Sequence, residues 1–170
     1  MVDQITNLNN GVYLNEPEIS NKTNFCIGVA GYPEKHMEAP SLKSDLHFLK
    51  EKIKLGGHYI ITQMFFDNSK FFAFKDLCEK KGIDVPIIPG LKPISTLKQI
   101  NLIPHRFHCD LPEDLIKSLI KCKDNSQARE VGIEWCIQQS KELLKSGVPF
   151  LHYYSMGRSS NIKSVAESIF

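Results

Sequence analysis

The sequence is short of several things at once. Its five cysteines, Cys26, Cys78, Cys109, Cys122 and Cys136, are odd in number, widely spaced and form no CxxC pair. That excludes a disulfide framework and suits a reducing compartment. No apolar run approaches the ~20 residues of a membrane span, and the opening Met1-Val2-Asp3-Gln4 has neither the basic start nor the apolar stretch of a signal peptide. Charge of one sign is lacking too. Lys and Arg number 21 against 19 Asp and Glu, a formal +2, so no electrostatic pull toward nucleic acid or a membrane surface follows. The expectation is a cytoplasmic protein with neither as partner. His105, His108 and Cys109 lack a second ligand pair at finger-like spacing, so no metal is expected.

What is present is a core. The 170 residues are 42% apolar and 24% charged, enough for one domain and too apolar for a disordered chain. Four apolar runs, Phe25–Ala30, Tyr59–Phe66, Val85–Ile88 and Phe150–Tyr154, are short and rich in β-branched and aromatic residues. Turn residues such as Gly31-Tyr32-Pro33 and Pro89-Gly90 punctuate them, which is how buried parallel strands read. Helical patterns fill the gaps. Ser41 is placed to cap a helix carrying Leu42, Leu46, Leu49 and Ile53, which Gly56-Gly57 stops. Phe71, Phe74, Leu77 and Cys78 mark a second helix, Ser95 with Leu97 and Ile100 a short third, and Val131, Trp135 and Leu143 a long fourth. Residues from Ser159 to Phe170 suit a last one.

Strand–helix alternation predicts an α/β fold with a parallel sheet. A doubly wound nucleotide-binding sheet calls for a Gly-rich turn after its first strand, and Gly28 and Gly31 give only GxxG. A (β/α)8 barrel instead gathers its chemistry at the C-terminal ends of the strands. The polar residues fall there: Tyr32, Glu34 and His36, then Gln63 and Asp67, then Lys92, then Tyr154 and Arg158. Gln63 is the sharpest case, since an unpaired amide inside the run Ile60–Phe66 costs ~1–3 kcal/mol. Lys92 is the sole lysine at a strand end, and its neighbours Leu91 and Pro93 give no sign of the lowered pKa an imine-forming lysine needs.

The segments Gly31-Tyr32-Pro33-Glu34-Lys35-His36, Ile61-Thr62-Gln63-Met64-Phe65-Phe66-Asp67, Ile87-Ile88-Pro89-Gly90-Leu91-Lys92-Pro93-Ile94 and His152-Tyr153-Tyr154-Ser155-Met156-Gly157-Arg158 closely resemble methylenetetrahydrofolate reductases, in that family's order and spacing. The resemblance implies a (β/α)8 barrel that binds FAD. It also implies reduction of 5,10-methylenetetrahydrofolate to 5-methyltetrahydrofolate with NADH or NADPH, in one-carbon and methionine metabolism. Carried over position by position, Tyr32, His36, Ala39, Asp45 and Lys52 match flavin contacts, and Gln63, Gln99 and Arg158 match folate or nicotinamide contacts. Where some relatives stack an aromatic ring on the substrate, this chain has Ile103.

The resemblance covers only the last four β/α units of such a barrel, over residues 25–170, with residues 1–24 read as the tail of a preceding helix and a polar loop. The family's general acid lies in the first half, so no catalytic acid–base residue is assigned, and Glu16 and Glu18 do not replace it. Half a barrel leaves open strand edges. The chain is therefore expected to be a fragment missing its N-terminal half, or to assemble as a homo-oligomer. The alternative reading is a non-catalytic flavin-binding half barrel that self-associates.

Overall fold

The computed structural model describes residues 1–14, 21–157 and 159–170. In order along the chain, the elements are α1 (Val2–Asn9), β1 (Gly28–Gly31), α2 (Leu42–Lys54), β2 (Tyr59–Thr62), α3 (Asn68–Lys80), β3 (Ile87–Ile88), β4 (Gly90–Leu91), α4 (Gln99–Phe107), α5 (Glu113–Ile120), α6 (Asn125–Lys145), β5 (His152–Tyr153) and α7 (Ser160–Glu167). β1, β2 and β3 form one sheet in that order, and β4 and β5 form another; every pairing is parallel. Only Pro89 separates β3 from β4, so the segment from Ile87 to Leu91 pairs first with β2 and then with β5. Strand neighbours follow chain order without the reversal that a doubly wound sheet requires.

Local chemistry sets the helix starts. Ser41 and Ser44 form a reciprocal capping box at α2, with Ser44 N–H donating to Ser41 Oγ at 3.1 Å and Ser41 N–H to Ser44 Oγ at 3.0 Å. Asp67 caps α3 by accepting Ser69 N–H, and Asp124 caps α6 by accepting Gln127 N–H. The expected cap at Ser95 does not form. Gln99 Oε1 instead accepts the N–H groups of Ser95 and Thr96, which holds that segment in a turn and delays α4 to Gln99. The sequence reading also passed over α5, whose eight residues bury Leu115 and Leu119.

One face of the β1–β2–β3 sheet is packed. Val29 and Ile60 lie against Leu46 and Leu49 of α2 and Phe74 and Cys78 of α3. A second cluster joins Phe65 and Phe71 to Leu91, Cys136, Leu143 and Val165, and a third joins Met64 and Phe66 to Ile94, Ile103, Leu115 and Leu119. On the opposite sheet face, Gly28 and Ala30 are exposed and Tyr59 and Ile61 are half-buried. Among the described residues, helices therefore cover one side of this sheet. The run Tyr59–Phe66 is strand only as far as Thr62; Met64, Phe65 and Phe66 are buried beyond it, in the connection to α3.

Candidate functional site

At the C-terminal ends of β1, β2, β4 and β5, which form one rim, the first residue after each strand is polar. Tyr32 follows β1, Gln63 follows β2, Lys92 follows β4 and Tyr154 follows β5. The register pairs Gly31 with Thr62 and Leu91 with Tyr153, so each pair of followers leaves its sheet at one level. Thr62 ties the two sheets together there. Its carbonyl accepts Tyr154 Oη–H at 2.9 Å, and its Oγ1 accepts Gly90 N–H at 2.9 Å.

A cleft of about 360 Å³ opens beside β1, lined by Tyr32, His36, Ala39, Asp45, Phe48 and Lys52 among others. All five residues matched to flavin contacts line it. The loop that carries three of them is wrapped tightly. Asp45 Oδ2 accepts His36 N–H at 2.8 Å, and Lys35, at φ 81, donates its ammonium to the carbonyls of His36 and Ala39. The Tyr32 and His36 rings meet edge to face at 4.6 Å between centroids. Lys52 donates to the Ala30 carbonyl at 3.0 Å. The carbonyls of Ile27 and Gly31 point to β2, so alternation along the strand turns that of Ala30 to the open edge. Burial lowers the Lys52 pKa, and the nearby Asp45 carboxylate partly opposes it. Burial raises the Tyr32 pKa, reinforced by Asp45 and Glu38, so its phenol stays protonated.

Gln63 is half-buried and stands just outside β2 rather than within it. Its Oε1 accepts Met64 N–H at 3.0 Å. That bond fixes the amide's orientation and leaves Nε2 as the group on offer, without a protein acceptor among the described residues. Glu34 shares the adjoining crevice with Tyr32, Gln63 and Cys109. Glu34 Oε2 accepts Lys70 Nζ at 3.0 Å and Asp110 N–H at 2.8 Å, while Oε1 is buried without a partner among the described residues. Burial raises the Glu34 pKa, and the bonds from Asp110 and Lys70 offset part of that. The Cys109 thiol is occupied in the core, donating to the Met64 carbonyl at 3.1 Å, with its pKa pushed up to about 12.

Gln99 lies apart from the first cleft, in one of about 170 Å³ between the ends of β4 and β5 that Lys92 and Tyr154 also line. One sequence reading is corrected here. Lys92 is buried, at 8% exposure, and its pKa is lowered by burial, which its apolar neighbours had given no reason to expect. Ile103 is 1% exposed and packs into the core under α4, so it is not placed to stack on a ligand. Asp67, noted as a polar strand end, serves as the α3 cap. Arg158, Glu16 and Glu18 lie outside the described residues. Among the described residues, no three His, Cys, Asp or Glu side chains gather to hold a metal.

The profile of the methylenetetrahydrofolate reductase family matches residues 12–169, nearly the whole chain. The chain belongs to the methylenetetrahydrofolate reductase family. It is 37% identical over 147 residues to a probable methylenetetrahydrofolate reductase (NADPH) from Caenorhabditis elegans, covering 85% of this chain and 22% of that protein. To the 5,10-methylenetetrahydrofolate reductase of Escherichia coli it is 34% identical over 146 residues, covering 85% of this chain and 49% of that one. The chain thus spans about half of the bacterial relative and under a quarter of the animal one. Among solved structures, it resembles an uncharacterized protein from Clostridium thermocellum that binds two copies of 5-methyl-5,6,7,8-tetrahydrofolic acid. The TM-score is 0.53 at 21% identity, over 83% of this chain and 51% of that one, a likeness of fold. Within this reductase family, the α/β architecture of parallel strands and helices is the expected one.

Proposed function

We propose that this chain is the second half of a (β/α)8 barrel reductase that binds FAD and takes 5,10-methylenetetrahydrofolate to 5-methyltetrahydrofolate with NADH or NADPH. One observation carries the reading: the five residues that the family resemblance matches to flavin contacts, Tyr32, His36, Ala39, Asp45 and Lys52, line a single cleft. The donor set fits the group. Lys52 is a half-buried ammonium whose one protein partner among the described residues is a carbonyl, which suits a phosphate. Tyr32 and His36 supply an edge-to-face aromatic wall that suits a flat heteroaromatic ring. Bound flavin supplies the hydride chemistry; the protein's part is to bind, orient and tune.

Each residue then has a task. Asp45 holds the His36 backbone and so the shape of the loop. Gln63 offers Nε2 to a carbonyl or ring nitrogen of the substrate. Gln99 does the same farther out. The strand ends of both sheets bring these groups to one rim, where folate and nicotinamide are taken in turn. No residue of this chain is assigned as the proton donor. The uncovered sheet face and the open edge of β1 favour pairing with an N-terminal half or a second copy of the chain, in the cytoplasm.

The test is absorption spectroscopy of the purified chain after mixing with FAD and desalting, followed by anaerobic NADH. Retention near one flavin per chain, bleached by NADH, is the expected result. A folded chain that retains no flavin overturns the reading. Retention without bleaching supports the second reading, a non-catalytic flavin-binding half barrel, which the uncovered sheet face also favours.

A further inference from the structure

Three consecutive carbonyls follow Gln63, those of Met64, Phe65 and Phe66. All three residues are buried, and they lie beyond the end of β2 and before the start of α3. A buried carbonyl outside a sheet or helix needs a donor from elsewhere. Side chains supply all three. The Cys109 thiol donates to the Met64 carbonyl at 3.1 Å, Gln139 Nε2 to that of Phe65 at 3.4 Å, and Trp135 Nε1 to that of Phe66 at 3.0 Å.

The three donors are unequal. A thiol donates weakly, and 3.4 Å lies past the usual N–H···O range. Gln139 Nε2 also donates to Asn68 Oδ1 at 3.2 Å, so it is not committed to the loop. The Trp135 indole has a single N–H and no acceptor, and the Phe66 carbonyl is its partner across 69 residues of chain. Its ring packs on the cluster that contains Met64 and Phe66. Trp135, Gln139 and Glu142 share one face of α6 by their i, i+4, i+7 spacing. Asn68, at the start of α3, donates to the Gln139 carbonyl at 3.1 Å and to Glu142 at 2.7 Å on that same face. The far end of the loop is thus fixed by α6. Its near end is fixed by the Gln63 N–H, which donates to the Gly31 carbonyl at 2.8 Å.

Between these two anchors lies the bond that orients the Gln63 amide, Met64 N–H to Oε1 at 3.0 Å. The backbone here has no strand or helix ladder to hold that peptide plane, so the side-chain anchors hold it. We infer that Trp135 is a positioning residue: through the Phe66 carbonyl it steadies the loop that presents Gln63 Nε2 to the substrate. The inference rests on the function proposed above for what Gln63 contacts. It adds a residue that the sequence reading took only as part of the helix's buried face.

Trp135 is the chain's single tryptophan, so biosynthetic replacement by 3-benzothienylalanine exchanges its N–H for sulfur and leaves the ring's shape and every other residue as they were. Two quantities are measured on both chains: amide hydrogen exchange by NMR, and affinity for 5-methyltetrahydrofolate by calorimetry. The Met64 amide of the analogue chain is expected to exchange about tenfold faster than in wild type, with the β2 amides unchanged. Folate affinity is expected to fall about fivefold, and the analogue is expected to cause no further loss in a Gln63→Ala background. Should the wild type bind no folate, the reductase reading fails by itself, and the exchange result decides the positioning role. Unchanged Met64 exchange, or acceleration spread equally over β2, marks the indole as core packing and overturns the inference. Equal folate affinity of the two chains overturns it as well, as does an undiminished loss in the Gln63→Ala background. Trp135→Phe, read in the same way, serves if the analogue chain does not fold.

Discussion

The carboxylate of Glu34 accepts the backbone N–H of Asp110 at 2.8 Å, across 76 residues of chain. The same oxygen receives Lys70, whose ammonium also meets the Asp110 carboxylate. Three separate stretches, the loop after β1, the first turn of α3 and the connection from α4 to α5, are thereby fastened at one point beside Tyr32. Glu34 is only 11% exposed at its side chain, so the loss of hydration of its carboxylate outweighs what the bonds from Asp110 and Lys70 return.

Its titration has a sign. Burial raises the folded-state pKa of Glu34, so the folded chain holds this proton more tightly than the unfolded one. The stabilisation is full below the ordinary glutamate range and is lost as pH rises through the raised value. Glu34→Gln, a permanently neutral mimic, is expected to gain stability relative to wild type as pH rises through that window, with a flat difference below it. Paired thermal melts between about pH 4 and pH 8 check this; a difference curve that slopes the other way contradicts it.

Lys52 stands at the wall of the first cleft with a carbonyl as its only protein partner among the described residues. A hydrogen bond to a charged group is worth about 1.5–3 kcal/mol, so Lys52→Met is expected to weaken FAD binding about ten- to a hundredfold. Fluorescence titration with FAD measures it. The fold is expected to be intact, since the ammonium bonds a single edge carbonyl.

Gly90 sits where the two sheets meet. A Cβ there would lie 2.2 Å from the Thr62 carbonyl oxygen and 2.7 Å from the Tyr154 ring. Backbone cannot yield as a flexible side chain does, so Gly90→Ala is expected to cost about 1–3 kcal/mol or more. Tyr154→Phe, which only removes the bond to Thr62, is expected to cost about 0.5–1.5 kcal/mol. Urea denaturation of the pair reads both, and the glycine variant must be the weaker.

Ser41 with Ser44 closes the first turn of α2, the helix that supplies Asp45 and Lys52 to the cleft. Ser41→Ala removes the N-cap acceptor and is expected to destabilise by about 1 kcal/mol, seen as a lower urea midpoint with an unchanged slope.

Much of this was legible in the chain. The strand runs and the Ser41 cap announce themselves through period and turn chemistry, and the polar strand ends through their position. The motifs matched to flavin contacts pick out residues as far apart as Tyr32 and Lys52 that one cleft gathers. What was not legible depends on folding at a distance. Gln63 reads as part of a strand because Met64, Phe65 and Phe66 continue the apolar run, yet those three serve packing in a loop. Ile103 reads as a substituted ligand contact, yet its helix turns it into the core. Lys92 between Leu91 and Pro93 carries no local sign of burial, since the groups that enclose it, Gln99, Asn161 and Tyr154, come from three other segments.

Pro89 divides five consecutive residues into two that pair with β2 and two that pair with β5. The two neighbours grip the strand at different heights, so the sheet acquires a stagger along its length, and stagger is what lets a sheet curl toward closure instead of lying flat. The same residue acts as an index mark. Side chains alternate from it, so parity counted from Pro89 sends Leu91 into the core and Lys92 to the rim. One residue inserted at that mark would exchange them, placing a leucine at the cleft and a charge in the interior. A deletion there would do the same, while loops elsewhere absorb either change in silence.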